Sequence, residues 1–179
     1  MNTPVKNLQD LKAEFQTVVV AVGPHQLKTL IPDAPDFEYQ PIYTCYLQYP
    51  AATRLPFPML GLADGLVQWV FDRGALLGEN GRMACVISAQ GDHQQMTRDE
   101  LAATCHRELK AARPQLPDPD WTQVIAEKRA TVACVPGQKA FDFGIKDLIL
   151  AGDYTYPDYP PTLEAAVRSG VRAALKVAQ

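Results

Sequence analysis

The sequence predicts a mixed α/β (α+β) chain: an antiparallel sheet carrying one helix, flanked on both sides by strand-and-helix segments. Three observations predict it. Gln16 to Val22 is a nearly all-apolar, β-branched run ending at Gly23-Pro24, the pattern of a strand covered on both faces in a parallel sheet. A long middle block alternates β-type runs with turn signals. Near the C-terminus, Asp147-Leu148-Ile149-Leu150-Ala151 runs into Gly152-Asp153 and then, past a Pro-rich turn, into a helical pattern.

In chain order, the first strand gives way to Leu27 to Tyr39, where Pro32, Pro35 and several acids predict a short helix and a linker. Gln40 to Gln48, Leu66 to Asp72 and Met83 to Ala89 read as strands, separated by turns such as Ala63-Asp64-Gly65 and Glu79-Asn80-Gly81. Thr97 can cap the next helix, with Glu100 three residues on as in a capping box. Leu101, Ala102, Cys105 and Leu109 follow helical spacing and Pro114 stops the pattern. Trp121 to Cys134 returns as a long strand, and an irregular segment with Phe141 and Phe143 leads to the strand at Leu148. Pro161 to Ala178 forms the last helix, with Leu163, Ala166, Val167, Gly170, Val171, Ala174 and Leu175 as an apolar stripe rich in small residues. The predicted organisation is 1–39, 40–135 and 136–179.

Composition narrows the function. A net charge of −3 provides no basic field, so nucleic acid is not an expected partner. Cys45, Cys85, Cys105 and Cys134 are scattered, without Cys-x-x-Cys or a histidine at zinc-like spacing, and read as reduced, half-buried thiols. No metal is expected. His25, His93 and His106 lie far apart and read as surface or interface residues. Ser88 and Ser169, the two serines, lack a Gly-x-Ser-x-Gly setting. The first residues lack the apolar core of a signal peptide, and no run approaches the ~18 apolar residues of a membrane span. A cytoplasmic protein is the expectation.

The strongest site candidates are Gly152 and Asp153, where a strand ending in a small backbone and one carboxylate can meet a nucleotide cofactor. Tyr154, Tyr156 and Tyr159 supply aromatic rings nearby. The last helix offers free N–H groups around Thr162 and Leu163, which favour an electron-rich partner. Leu55-Pro56-Phe57-Pro58-Met59-Leu60 suits a sheet edge or an apolar wall. Glu127, Lys128 and Arg129 alternate along a strand, so they cannot all face one site and read as a solvated or paired face.

The run from Leu150 to Gly170 resembles the C-terminal FAD-binding signature of the flavin-containing amine oxidase and phytoene desaturase superfamily. It looks most like the squalene-associated FAD-dependent desaturases, or hydroxysqualene dehydroxylases. Further matches are Val18 to Pro24, Trp69-Val70-Phe71-Asp72-Arg73, and Trp121 followed by Glu127-Lys128-Arg129-Ala130-Thr131. The resemblance covers nearly the whole chain but only the C-terminal part of the family's usual polypeptide. It implies an amine-oxidase-like fold, with 40–135 as a substrate-domain sheet and 1–39 and 136–179 as parts of the FAD domain.

It also implies FAD as the cofactor, held here by Gly152, Asp153, Tyr154, Thr162 and Leu163. Where related sequences commonly read Gly-Asp-Trp-Thr, this chain has Tyr154. The implied reaction of the complete enzyme is reduction of hydroxysqualene to squalene, in squalene and hopanoid biosynthesis. Its implied partner is an apolar isoprenoid, which leaves peripheral membrane association open. No residue is assigned as the acid for the departing hydroxyl. The Gly-x-Gly-x-x-Gly turn that holds the FAD pyrophosphate is missing from the spacing of all eleven glycines. This chain alone is therefore expected to bind FAD weakly or not at all, needing an N-terminal FAD-binding segment or a partner chain. Alternative readings are another carotenoid or isoprenoid desaturase, an amine oxidase, or a non-catalytic interaction module without flavin.

Overall fold

The structure, a computed structural model, describes residues 3–136 and 144–178; Phe141 and Phe143 lie outside them. The chain divides into two compact units, Gln40–Ala130 and a second made from Met1–Tyr39 with Thr131–Gln179.

The Gln40–Ala130 unit is built on a five-stranded sheet. Its strands are β2 (Tyr39–Gln48), β3 (Met59–Gly61), β4 (Trp69–Asp72), β5 (Arg82–Ser88) and β6 (Trp121–Val132), in the order β3-β4-β5-β2-β6. Antiparallel pairing sets Cys45 opposite Cys85 and Val70 opposite Cys85 on its other side. Alternation along β2 buries Tyr43, Cys45 and Leu47. These share one core with Leu101, Ala102, Cys105 and Leu109 of α4 (Arg98–Ala112).

Local chemistry sets the boundaries. Thr97 caps α4 by accepting from Glu100 N, while the Glu100 carboxylate accepts from Thr97 N, a reciprocal capping box. Asp72, in the middle of the Trp-Val-Phe-Asp-Arg match, is fully buried. Its carboxylate accepts from Leu55 N at 2.9 Å and from Ala75 N at 3.0 Å, the second bond capping α3 (Arg73–Leu77). Arg73 extends over the Tyr46 ring and pairs with Glu79 at 2.7 Å. That pairing holds the Glu79 carboxyl down at about 2. Gly81 has φ of +75°, and a Cβ there would run into the Tyr49 carbonyl, so this turn requires glycine.

Two expectations are corrected in this unit. Cys45, Cys85 and Cys105 are fully buried, not half-buried. Hydrogen bonding with Cys105, together with burial, pushes the Cys45 thiol far up, so it packs as an inert group. His93 is buried against the Tyr43 ring at 4.8 Å, not on the surface, and burial lowers its pKa. His106 is tethered between the Tyr49 hydroxyl at 3.0 Å and Asp118 at 3.2 Å.

The other unit centres on a two-stranded parallel sheet, β1 (Val18–Val20) with β7 (Leu148–Leu150), in register Val18 with Leu148 through Val20 with Leu150. Around it lie α1 (Leu8–Glu14), α2 (Pro24–Leu30) and α5 (Leu163–Val177). Leu8, Val18, Val20, Leu27, Ile31, Val132, Leu148 and Tyr154 form its core. The first strand is shorter than the apolar run that announced it, and α2 starts earlier than expected, with Pro24 in its first turn. The expected two-sided cover is also corrected. Val18 and Val20 are buried while Val19 between them is exposed, because this unit's core covers one face only. The α5 stripe faces outward too, the packed side being Ala165, Ser169 and Ala173.

Glu108 on α4 makes a contact that sequence spacing does not reveal. Its carboxylate accepts from Leu66 N and Val67 N, at 2.9 Å from Oε2 in both cases, and fixes the loop before β4. Glu108→Ala is expected to lower stability by about 1–3 kcal/mol, the cost of orphaned backbone donors and a lost charged acceptor. Equilibrium urea unfolding checks this, and a midpoint equal to wild type would refute it.

Candidate cofactor edge

Parallel pairing of β7 with β1 delivers the chain into the turn Gly152 to Thr155. Ala151 N still donates to Val20 O at 3.0 Å, after which the ladder stops. Gly152 N turns away to the Ser169 hydroxyl of α5 at 2.8 Å, and that hydroxyl donates onward to Ala166 O at 2.7 Å. Gly152 O accepts from the Thr155 hydroxyl at 2.8 Å and from Thr155 N at 3.1 Å. The group that approaches Gly152 is the Tyr154 ring, which would collide with any Cβ there. This glycine therefore makes room within its own turn.

Tyr154 is buried. Its hydroxyl donates to Val22 O at 3.2 Å and its ring meets Phe37 edge-on at 5.4 Å. Burial, then the adjacent Asp153 charge, pushes the phenol up to about 12. Asp153 is half-buried, and desolvation raises its carboxyl above the ordinary value.

Asp153 and Tyr154 line a cavity of about 200 Å³ with Tyr156, Asp158, Tyr159, Cys134 and three prolines at 157, 160 and 161. Its floor is braced from two directions. Thr131 Oγ1 donates to Pro161 O at 3.0 Å, and Arg172 donates to Thr155 O. The Arg168 and Arg172 guanidinium groups lie 5.1 Å and 5.3 Å from the Tyr159 and Tyr156 ring centres. Among the described residues the lining carries two carboxylates, phenol rings and no cation, a wall that accepts hydrogen bonds and packs flat rings.

The predicted residues separate here. Thr162 caps α5 with its hydroxyl accepting from Ala165 N at 3.2 Å, so Pro161 lies before the helix and not in its first turn. Leu163 is almost fully exposed. Gly152, Thr162 and Leu163 are not among the lining residues. Sequence reasoning overlooked Asp158 and Cys134; the thiol, expected to be half-buried, is exposed. Only the return of the chain after β6 brings Cys134 beside Asp153. Glu127, Lys128 and Arg129 are exposed on β6, with the Glu127 carboxylate accepting from Arg129 N. Within the other unit, the Leu55 to Leu60 run places Leu55 in the core and leaves Phe57 and Met59 exposed at the β3 edge. The described residues contain no metal-binding cluster, and no helix is long and apolar enough to cross a membrane.

A family profile described as "Flavin containing amine oxidoreductase" matches residues 4–178. The chain belongs to this family. Among curated relatives, the hydroxysqualene dehydroxylase of Rhodopseudomonas palustris is 34% identical over 164 residues, covering 88% of this chain and 37% of that protein. Those of Sinorhizobium fredii and Zymomonas mobilis are 31% and 29% identical, covering 88% and 93% of this chain and 37% and 40% of theirs. The chain thus spans well under half the length of these relatives.

Two solved structures share the fold at 12% identity. The "Putative protoporphyrinogen oxidase" of Exiguobacterium sp. 255-15 superposes with a TM-score of 0.64, and the PF1083 protein of Pyrococcus furiosus with 0.58. Each match covers 91% of this chain and 41% of the other.

Two outcomes test this corner. Ser169→Ala removes the acceptor for Gly152 N and is expected to cost about 1–3 kcal/mol of stability; an unchanged thermal midpoint would contradict the role. Asp153 has a folded pKa raised above the unfolded 3.8, so its ionisation destabilises the fold as pH rises above that value. Asp153→Asn is expected to be neutral near pH 3 and to gain stability relative to wild type towards pH 7. A gain largest at low pH would reverse the sign.

Proposed function

We propose that this chain forms the flavin-ring and ribityl side of an FAD-dependent oxidoreductase acting on an isoprenoid, with reduction of hydroxysqualene to squalene as the reaction of the complete enzyme. The observation that carries the reading is Asp153: a half-buried carboxylate at the end of a parallel strand, lining an aromatic cavity, within a region matched to the flavin family. The relatives' names support the substrate class.

The residues present fit part of the cofactor. Asp153 would accept from ribityl hydroxyls, and Tyr154 would hold the turn through Val22 and Phe37. Tyr156 and Tyr159 would pack beside a ring, while Thr162 and Leu163 open α5 with its positive dipole end. A cavity of this size is smaller than the ~300–1,000 Å³ typical of ligand sites. It carries no Gly-x-Gly-x-x-Gly cradle, so the pyrophosphate must be held by other polypeptide. When bound, FAD would supply the two-electron chemistry; this chain's share is to orient it and keep one edge dry. The apolar Leu55 to Leu60 run is the proposed contact for a long hydrocarbon.

The test replaces the matching region of the Rhodopseudomonas palustris relative with residues 4–178 of this chain. The chimera is expected to retain flavin and, when reduced anaerobically, to convert hydroxysqualene to squalene. Asp153→Ala is expected to weaken flavin binding by roughly one to two decades, the worth of a charge-assisted hydrogen bond of about 1.5–3 kcal/mol, while Glu127→Ala leaves it unchanged. Equal flavin content in the two variants would refute the Asp153 role. Flavin reduction by a primary amine without squalene formation would move the assignment to amine oxidation.

A further inference from the structure

Two short turns of the Gln40–Ala130 unit line one cavity of about 280 Å³. The first follows β2, where Thr53 N donates to Pro50 O at 2.8 Å. The second follows α4, where Arg113 N donates to Leu109 O at 2.9 Å and Leu116 N to Arg113 O at 3.0 Å. Each turn contributes one arginine to the lining, Arg54 from the first and Arg113 from the second. Leu116, also in the lining, is buried and anchors its turn in the core of this unit. Thr53 and Gln115 add polar side chains, and among the described residues no carboxylate lines the cavity. Arg54 is already set in place. Its Nη1 donates to Ala51 O and to Thr53 O, both at 2.8 Å, and its Nη2 to Asn80 Oδ1 at 2.6 Å. These bonds use three of its five N–H groups and leave donors on Nε and Nη2, enough for two-point capture of an oxyanion. A guanidinium held in this way loses little freedom when a ligand arrives.

Neither Arg54 nor Arg113 joins an ion pair among the described residues. Two neighbouring acids are committed elsewhere. Asp72, which approaches Arg54 around Gly74, accepts from the backbone N–H groups of Leu55 and Ala75. Asp118, two residues past Leu116, is held by Lys110 and His106. Two guanidinium groups on one small cavity, without a counter-charge in its lining, suit phosphate. The planar fork matches its oxygens, and the second cation offsets the remaining charge of a dianion. The volume lies just under the ~300–1,000 Å³ typical of ligand sites, which suits a phosphate on a small polyol better than a nucleotide. We infer that this cavity is a binding site for a phosphate monoester, held by Arg54 and Arg113. That chemistry is carried both by a soluble polyol phosphate and by the headgroup of a phosphomonoester lipid. The inference rests neither on the family match nor on the role of Asp153.

The experiment titrates the whole chain at low ionic strength with glycerol 3-phosphate by calorimetry. In a parallel arm, the chain is sedimented with phosphatidylcholine vesicles with and without phosphatidic acid. Saturable one-to-one binding of the soluble ester, or vesicle binding that requires phosphatidic acid, is expected; the first assigns a soluble ligand and the second a lipid headgroup. Arg113 makes no ion pair, so circular dichroism and the thermal midpoint of Arg113→Gln are expected to match wild type, while its affinity falls roughly tenfold or more. Arg54→Gln is expected to lose binding as well, together with some stability of the Pro50 turn. Arg107→Gln removes the same charge from α4 at a residue that bonds Thr104 and does not line the cavity, and it is expected to bind as wild type. The inference is overturned if neither ester nor vesicle is bound, if Arg113→Gln binds as well as wild type, or if Arg107→Gln weakens binding equally.

Discussion

Three rungs of parallel pairing, Val18 with Leu148, Val19 with Ile149 and Val20 with Leu150, join segments separated by the entire antiparallel unit. The rest of the candidate site depends on them. They bring Val22 within reach of the Tyr154 hydroxyl and set Leu148 into the core that Leu27 and Ile31 complete. Without that closure the Gly152 turn would have neither the Val20 carbonyl behind it nor Tyr154 anchored below it. Forming such pairs requires closing a very long loop, and the cost is offset by a small apolar core, since three residues of ladder contribute few hydrogen bonds.

The corner that follows is held by polar groups used economically. Ser169 accepts from one backbone donor and gives its proton to a carbonyl of its own helix. Thr155 closes the turn on Gly152, and Arg172 reaches back to its carbonyl. These bonds fix Asp153 at the rim of a cavity where water is partly excluded, which is why its carboxyl is raised. The Gln40–Ala130 unit uses the same device elsewhere. Asp72 and Glu108 each spend a carboxylate on two backbone N–H groups and thereby fix the loops on either side of β4. The Trp-Val-Phe-Asp-Arg segment that drew attention as a family match has a structural explanation in Asp72 and Arg73.

Apolar groups are distributed less conventionally. The interior of α5 is made of alanine and serine, which lets the helix sit close to the turn, and its branched and long apolar residues point away. Small residues at a packed helix face allow short backbone separations. The sequence stripe was visible as a 3.6-residue period, but periodicity identifies a face without saying what covers it.

The sequence by itself determined what depends on near neighbours. Thr97 and Glu100 form the capping box that their spacing announces, Pro114 follows the end of α4, Gly81 takes the left-handed turn, and Gly152-Asp153 follows a short, partly buried strand. Each is a matter of backbone geometry within a few residues, so composition and spacing suffice. Tertiary structure decided what depends on distant partners: that His93 is buried, that Cys45, Cys85 and Cys105 meet in one core, that Cys134 and Asp158 join Asp153, and that the α5 stripe faces outward. Burial and proximity are set by strand order and by which face a neighbour occupies, and neither is written in the residues that are buried.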